Sequence, residues 1–358
     1  MLLTFEDHRK DPAGWAQALG ISSEAVALYL ASDVIDLHIE TFSWTRTVGY
    51  DLTRRHGTGL FGGRLYGHAD LPRLREARIT GGVWALTTNP AWSAAVRLRQ
   101  FDRSLAGLRA VFARCPDDVA LVRTAAEYRR AVDAGRHAAW VCIQGGNALE
   151  ADPARIESIP EDLIISVTLI HLSGSALGQT SAPFLSSDDT GMTDLGREFV
   201  RRLNHQRILV DLAHISRRGF FQAVEVHDRS QPLIATHTGV AGVHPHWRNL
   251  DDEQLRAIAD TGGTIGVMYQ SSFLGESWFG GTSARVMDHL EHIVKTVGED
   301  FASLGSDWDG LINPPRDMQT CLELPRLVQH MLDRGWSGER IRKVLGGNFL
   351  RVVQALRG

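Results

Sequence analysis

Short apolar segments alternate with amphipathic helical patterns along the whole sequence, and this alternation constrains the fold more than any other feature. We predict eight strands, at 34–38, 82–88, 138–144, 163–171, 207–214, 232–237, 264–269 and 301–307. Strands separated by helices are typical of parallel βαβ units, because parallel strands need a long crossover connection. About eight such units in 358 residues favour an α/β fold of the closed (β/α)8 TIM barrel type over an open doubly wound sheet, which normally has fewer.

The chain contains no Pro- or Ser-rich linker and no low-complexity tract, so we predict a single barrel domain at 1–358. Within it, a glycine-rich segment around 43–70 is predicted to be a loop insertion over the rim of the barrel. One helix is predicted at 117–135, with Asp117 or Asp118 as its N-cap.

Charge and cysteine usage narrow the class of protein. The formal net charge of -4 gives no electrostatic reason to expect nucleic acid or an anionic membrane as a partner, so the expected partner is a small molecule. The three cysteines are far apart and lack metal-site spacing, which suits a reducing compartment. The chain has neither a signal-peptide pattern nor an apolar run of about 18 residues. We therefore expect a cytoplasmic protein.

Polar or metal-capable side chains lie near the C-terminal ends of seven of the eight predicted strands. These residues are His38 and Glu40, Gln144, His171, His214, His237, Tyr269 and Asp307. In a (β/α)8 barrel, active sites are built at the C-terminal rim, where the strand ends converge around the axis. The pattern predicts that these residues face one another although they are far apart in the sequence.

Four of these residues are suited to bind a metal ion. His38 and Glu40 are two positions apart, so in an extended strand both side chains point to the same side. His214 and His237 each end an apolar strand, where a buried imidazole needs partners for its ring nitrogens. The alternative is a set of core histidines satisfied by hydrogen bonds, and it must be invoked repeatedly at the same rim. Neutral imidazole with carboxylate favours zinc or a similar divalent ion, which predicts a metal site at the rim of the barrel.

Further residues have predicted roles in proton transfer, in carbonyl polarisation and in substrate binding. Asp307 can take a proton from a metal-bound water and return it to a leaving group. Asp309 competes for that role, although an aspartate before Gly310 also fits a turn. His171 can polarise a substrate carbonyl, and Arg248 can bind a carboxylate or, alternatively, be a solvated loop cation.

The sequence resembles the membrane (renal) dipeptidase family, metallopeptidases of the amidohydrolase superfamily, over most of its length. The segments that carry the resemblance are DLHIE, HADLPRLRE, IQGGNALE, VTLIH, GMTDLGREFVRRLN, ILVDLAHIS, HWRN, GSDWDG and IRKVLGGNFLRV. The resemblance implies a barrel with two zinc ions and a bridging water that hydrolyses dipeptides, including some with a D- or dehydro residue at the C-terminal side. It also implies a homodimer.

By position, the resemblance places His38 and Glu40 on the first zinc ion and His214 and His237 on the second. It assigns His171 to the tetrahedral intermediate, Arg248 to the substrate carboxylate, Tyr269 to the wall of the pocket, and Asp307 to proton transfer. These assignments agree with the roles argued from the residues themselves.

Two positions depart from the family pattern. The family has an aspartate where this chain has Glu40, which keeps the charge and lengthens the side chain by one methylene. It has a glutamate that bridges the two metals where this chain has Gln144, and an amide bridges two cations poorly because it carries no charge. We expect one or two zinc ions with the second site weakened. Cys142 is not expected to substitute, since it lies one layer deeper in the barrel.

Three functions from different classes follow. The first is a metal-dependent hydrolase of dipeptides or related small amides. The second is a family member that carries out a different tailoring reaction on a peptide-derived metabolite, because Gln144 and Glu40 alter the metal site. The third is a protein that only binds its ligand, against which the presence of Asp307 counts.

Overall fold

The computed structural model describes residues 1–59, 62–184, 190–277 and 280–358. Its nine strands are β1 Ile35–Ile39, β2 Gly81–Thr87, β3 Val119–Leu121, β4 His137–Gln144, β5 Ile164–Thr168, β6 Leu209–Asp211, β7 Leu233–Thr238, β8 Thr264–Val267 and β9 Ala302–Leu304. All strand pairs are parallel, in the order β1-β2-β4-β5-β6-β7-β8-β9. Each of the eight predicted strand segments overlaps one of these strands, so the (β/α)8 barrel is confirmed.

The ring of strands is brought to closure by the segment that follows β9. The backbone N–H of Glu40 donates to the carbonyl of Trp308 at 2.9 Å, and that of Asp307 donates to the carbonyl of His38 at 3.0 Å. Because these bonds join the first strand to the end of the last, they also hold three predicted site residues at fixed positions relative to one another.

Helices cover the outside of the barrel. They are α1 Pro12–Leu19, α2 Ser23–Leu30, α3 Phe42–Val48, α4 Leu71–Glu76, α5 Ala94–Ala113, α6 Ala125–Asp133, α7 Asp194–His205, α8 Arg217–Val226, α9 Asp252–Ala259, α10 Ser283–Val297, α11 Pro325–Asp333, α12 Gly338–Arg342 and α13 Asn348–Arg357. Because helices lie on one face and barrel side chains on the other, a strand such as β4 is buried at every residue and reads as a continuous apolar run. Across the residues that the structure describes, no helix is long and apolar enough to cross a membrane.

The segment 117–135 differs from the predicted single helix. It begins with the short strand β3, which pairs with β4 outside the barrel order, and the helix α6 starts only after it. The N-cap is Thr124, whose Oγ1 accepts from the backbone N–H of Glu127 at 3.1 Å. Asp118 instead accepts from the backbone N–H of Leu3 at 2.9 Å and so ties the N-terminal segment to the barrel.

The glycine-rich segment over the rim is anchored by Asp309. The carboxylate of Asp309 accepts from the backbone N–H groups of Gly67 and His68, at 2.6 and 2.9 Å. The segment also contains the helix α3, and its residues 60–61 lie outside the described part of the chain. Asp309 therefore has a structural role in holding this loop, which agrees with a turn rather than a proton shuttle.

We expect the folded protein to lose stability in mild acid because of His137, which lies at the start of β4. It is fully buried; its Nδ1 contacts the carbonyl of Ile79 at 2.8 Å, and its Nε2 accepts from the indole N–H of Trp84 at 3.2 Å. Burial lowers its pKa from 6.5 to about 4. The unfolded chain therefore takes up a proton first as the pH falls, and the stabilisation present above pH 6.5 is lost towards pH 4.

At pH 5 the expected loss from this one group is about 2 kcal/mol, because a pH unit corresponds to about 1.36 kcal/mol. Urea unfolding at pH 7 and pH 5 measures it, with His137→Gln as the comparison, since a glutamine can bond the same two partners without titrating. The variant is expected to lose about 2 kcal/mol less than the parent chain over this interval. Equal losses in the two proteins would show that His137 is not the group responsible.

Candidate functional site

Predicted site residues from β1, β7 and the segment after β9 meet at the C-terminal end of the barrel. Ligand atoms of His38, His237 and Asp307 all lie within 4.8 Å of one another, and the three residues are buried. The Nε2 atom of His38 lies 3.7 Å from a carboxylate oxygen of Glu40 and 3.9 Å from one of Asp307. Two carboxylates and two imidazoles thus converge on one volume of the size that a metal ion requires.

A second group of residues adjoins the first. The Nε2 atoms of His214 and His237 are 2.8 Å apart. The ring of His171 lies 4.8 Å from that of His214, and its Nε2 accepts from the amide of Gln144 at 2.8 Å. One N–H of the Gln144 amide therefore donates to His171, while the amide oxygen has no hydrogen-bond partner among the described residues.

Buried polar atoms without hydrogen-bond partners mark this place as suited to a cation. Among the described residues, both ring nitrogens of His38, Oε2 of Glu40, Oε1 of Gln144 and Oδ1 of Asp307 have no partner. Buried polar groups are normally satisfied, so several orphaned acceptors in one cluster need a ligand that supplies positive charge. These oxygen and nitrogen donors fit zinc or a similar divalent ion.

The protonation of three of the four histidines agrees with metal binding. Burial by itself would lower the pKa of the fourth, His38, but the acidic groups beside it raise that pKa well above its ordinary range. Burial lowers the pKa of His171 to about 3, and it holds the pKa values of His214 and His237 well below their ordinary range. These three imidazoles are therefore neutral near pH 7, the form that binds metals. Burial raises the pKa of Asp307 to about 7, so this carboxyl can gain and lose a proton near neutrality.

Two of the site residues have strained backbones. His214 and Asp307 have φ angles of +66° and +62°, in the left-handed region that residues other than glycine seldom adopt. Such conformations persist where the surrounding structure fixes them, and they concentrate at functional sites.

The metal-capable cluster opens into a cavity of about 460 Å³, a size that suits a small molecule. Arg248 lines this cavity although only 2% of its surface is exposed. One of its Nη atoms donates to the carbonyl of His237 at 2.6 Å, while its Nε has no partner. Within the described residues no carboxylate forms a salt bridge with it, and burial lowers its pKa to about 10. Arg248 is therefore a buried, unpaired cation and not a solvated loop residue.

Not every predicted site residue reaches the cavity wall. Glu40, Gln144, His171, His214, Arg248 and Asp307 line it, whereas His38 and His237 are fully buried beneath. Tyr269 is also fully buried and packs edge-on against Trp308, with ring centroids 5.0 Å apart. Its hydroxyl has no partner among the described residues. The structure thus places Tyr269 away from the cavity, and its part in substrate binding stays a prediction.

A chain of hydrogen bonds that was not predicted from the sequence orients His237. Asp211, at the end of β6, accepts from the hydroxyl of Thr236 at 2.7 Å, and that hydroxyl oxygen lies 2.8 Å from Nδ1 of His237. The hydroxyl has one proton, which it gives to the carboxylate, so Nδ1 must be the donor to Thr236. Nε2 of His237 is then the unprotonated ring nitrogen, and it faces Nε2 of His214 in the cluster. In the sequence, the carboxylate of Asp211 within the apolar segment ILVDLAH was the feature that could have indicated this role.

We expect Thr236→Val to weaken zinc binding by about 10- to 100-fold, because losing a partner that orients a ligand typically costs that much. Thr168→Val is the matched control. The Thr168 hydroxyl also donates to Asp211, at 2.5 Å, but in the described structure it makes no hydrogen bond to any of the proposed metal-binding residues. Calorimetric titration of metal-free protein with zinc measures both. Equal weakening in the two variants would mean that Asp211 supports only the fold.

The sequence and the fold are both similar to those of known proteins. The sequence model for membrane dipeptidase, peptidase family M19, matches residues 22–357. An uncharacterised protein from the pqqA 5′ region of Klebsiella pneumoniae is 33% identical over 176 residues, 48% of this chain and 64% of that protein. The chain thus matches slightly less than two thirds of that relative's length. Dipeptidase ataJ of Aspergillus terreus is 29% identical over 318 residues, 80% of this chain and 76% of ataJ.

A similar solved structure is that of a metallo peptidase from Rhodobacter sphaeroides, liganded with a phosphinate mimic of the dipeptide L-Ala-D-Ala. It superposes with a TM-score of 0.81 at 25% identity, over 91% of this chain and 99% of that chain. The probable dipeptidase PvdM of Pseudomonas aeruginosa, at 18% identity and a TM-score of 0.83 over 95% and 98% of the two chains, shares the fold. Because the family match covers nearly the whole chain, the protein belongs to the membrane dipeptidase family, peptidase family M19.

Proposed function

We propose that this protein hydrolyses a dipeptide or a related small amide with the help of bound zinc. The observation that carries the proposal is the placement of Arg248. A buried guanidinium, which has no carboxylate partner in the part of the chain that the structure describes, lines the same cavity as the metal-capable cluster. A cavity that offers both a carboxylate-binding group and a hydrolytic centre suits a small substrate with a free carboxylate.

The cluster provides ligands for one or two zinc ions. His38 and Glu40 are the proposed ligands of the first ion, and His214 and His237 those of the second, with the oxygen of Gln144 between them. Zinc bound in such a site supplies a water of lowered pKa and polarises a carbonyl group. The hydrogen-bond chain through Thr236 to Asp211 holds His237 in the tautomer that zinc requires.

The remaining site residues bind the substrate and transfer protons to and from it. Arg248 binds the C-terminal carboxylate through its unpaired Nε and a neighbouring Nη, a geometry that fixes the peptide relative to the cluster. Asp307 takes the proton released by the attacking water and gives it to the leaving amine. His171 donates to the oxygen of the tetrahedral intermediate, a role that needs a ring held in place, as the bond from Gln144 provides.

A substrate screen tests the proposal. Metal-free protein is reloaded with zinc, its zinc content is measured, and L,L- and L,D-dipeptides are then assayed for amine release. Hydrolysis that disappears on chelation and returns with zinc is the expected result. Zinc-loaded protein that cleaves none of them would contradict the proposal.

A second candidate function rests on Gln144. With this neutral amide in the place of a bridging glutamate, the protein would carry out a different tailoring reaction, or only bind its ligand, with the cavity and Arg248 retained. The same screen separates the two, since robust turnover of simple dipeptides counts against it. The cytoplasmic location and homodimeric state expected from the sequence stay predictions.

A further inference from the structure

The mouth of the candidate active-site cavity exposes an unusual amount of apolar surface. Leu172, Trp247 and Leu311 line the cavity and are 40%, 37% and 60% exposed. The described residues include nine exposed large apolar side chains, and three of them surround this one opening. We call these three residues the apolar collar. Apolar side chains that cluster at a cavity, rather than scatter singly, indicate a binding surface.

The backbone at Leu311 supports a functional reason for the collar. Leu311 has a φ angle of +63°, a conformation that a leucine seldom adopts. The turn is fixed on both sides, because the backbone N–H of Gly310 donates to Asp307 at 2.9 Å and that of Leu65 donates to Ile312 at 2.8 Å. A strained position that presents an apolar side chain to solvent has no evident benefit for folding, so it points to a ligand.

The collar is also tied to the reacting groups along the chain. Leu172 follows His171, Trp247 precedes Arg248, and Leu311 lies in the turn after Asp307. A substrate bound by those three polar groups would therefore lie directly against the collar. Phe273, which also lines the cavity, packs edge-on against Trp247 with ring centroids 5.7 Å apart and extends the apolar wall.

We propose that the apolar collar binds a bulky apolar side chain of the substrate, on the residue whose carboxylate Arg248 binds. The inference rests on the proposed dipeptidase function and names its substrate class: dipeptides with a large apolar or aromatic C-terminal residue. Trp247 adjoins Arg248 in the chain and lines the same cavity. The side chain that contacts the collar therefore belongs to the substrate residue whose carboxylate Arg248 binds. Burial of that side chain against the collar removes apolar surface of both partners from water.

The test compares kcat/KM for L-Ala-L-Phe and L-Ala-D-Phe with the values for L-Ala-L-Ala and L-Ala-D-Ala, on the zinc-loaded full chain. Both configurations are included because the collar by itself does not select one. The better phenylalanine substrate is expected to exceed its alanine counterpart by about tenfold, which corresponds to about 1.4 kcal/mol. Leu311→Asn is expected to lower this ratio several-fold, and asparagine suits the left-handed backbone.

Val48→Ser is the matched control, because Val48 is an apolar residue that is 63% exposed and does not line the cavity. It is expected to leave the ratio unchanged. Equal kcat/KM values for the phenylalanine and alanine substrates would overturn the inference while the dipeptidase function stands. A preference for L-Phe-L-Ala over L-Ala-L-Phe would overturn the assigned side chain.

Two other outcomes would also overturn the inference. If Leu311→Asn separates a dimer into monomers in light scattering and keeps the substrate ratio, the collar is a contact between two copies of the chain. If none of the dipeptides is hydrolysed by zinc-loaded protein, the proposed function fails and the collar inference fails with it.

Discussion

Asp307→Asn is expected to reduce kcat for dipeptide hydrolysis by about two to four orders of magnitude, the usual contribution of a general acid–base group. Asp307 is buried, its Oδ1 has no hydrogen-bond partner among the described residues, and burial raises the pKa of its carboxyl to about 7. Asparagine has the same shape and tolerates the φ angle of +62°, but it cannot accept a proton. The loss therefore reports on proton transfer and not on a change of the backbone.

Zinc content must be measured in the same samples, because Asp307 also lies within the metal-capable cluster. Assays in excess zinc keep the site loaded, and Asp309→Asn is the control. Asp309 is two residues away. One of its carboxylate oxygens accepts from Gly67 and His68 and the other from Thr41 and Ala69, and asparagine can replace only one of these two oxygens. Asp309→Asn is expected to lower the free energy of unfolding by about 1–3 kcal/mol, the cost of leaving buried donors unsatisfied. If zinc-loaded Asp307→Asn kept kcat within tenfold of the parent, Asp307 would not be the proton shuttle.

Gln144→Glu is expected to raise the amount of bound zinc towards two ions per chain and to tighten the weaker site by at least about tenfold, or 1.4 kcal/mol. The side chain ends within the cluster, where its Oε1 has no partner and its Nε2 is bonded to His171 at 2.8 Å. A carboxylate there adds one negative charge between two cations, and in a buried site that charge is only weakly screened. Equilibrium dialysis at fixed free zinc, followed by metal analysis, measures the change.

The matched control is Gln270→Glu. Gln270 is a buried glutamine that lines the same cavity, but its amide is bonded to the backbone N–H of Asn313 and to Ser272, outside the ligand cluster. It is expected to leave the zinc stoichiometry unchanged. An equal rise in both variants would attribute the effect to the net charge of the cavity, and no rise in Gln144→Glu would show that the amide does not limit metal binding.

The eight strands of the barrel were predictable because each lies within an apolar run, whereas β3 was not predicted. β4 is buried along its whole length, and the predicted segment 138–144 differs from it by one residue. β3 was not predicted because its three residues show no alternation of polar and apolar side chains and lie shortly before the helical pattern of α6. Its pairing with β4 is a contact between distant segments, and no local periodicity encodes such a contact.

The candidate site was predictable to the extent that it follows from strand position. His38, His214 and His237 lie at strand ends, so the fold alone brings their rings together once the barrel forms. Tyr269 shows the limit of this reasoning, because it follows β8 at the same rim and yet packs into the interior against Trp308. Which way a side chain turns beyond the strand end depends on its neighbours in space.

The sequence by itself determined the barrel, the set of metal-capable residues at its rim, and the neutral amide of Gln144 among them, since these depend on periodicity and residue type. Only the tertiary structure decided that Arg248 is buried without a carboxylate partner among the described residues, that Asp211 orients His237 through Thr236, and that an apolar collar surrounds the cavity. The physical reason is that these properties belong to contacts between separate strands and loops. Burial, hydrogen-bond partners and the exposure of a side chain are fixed only when those segments pack together.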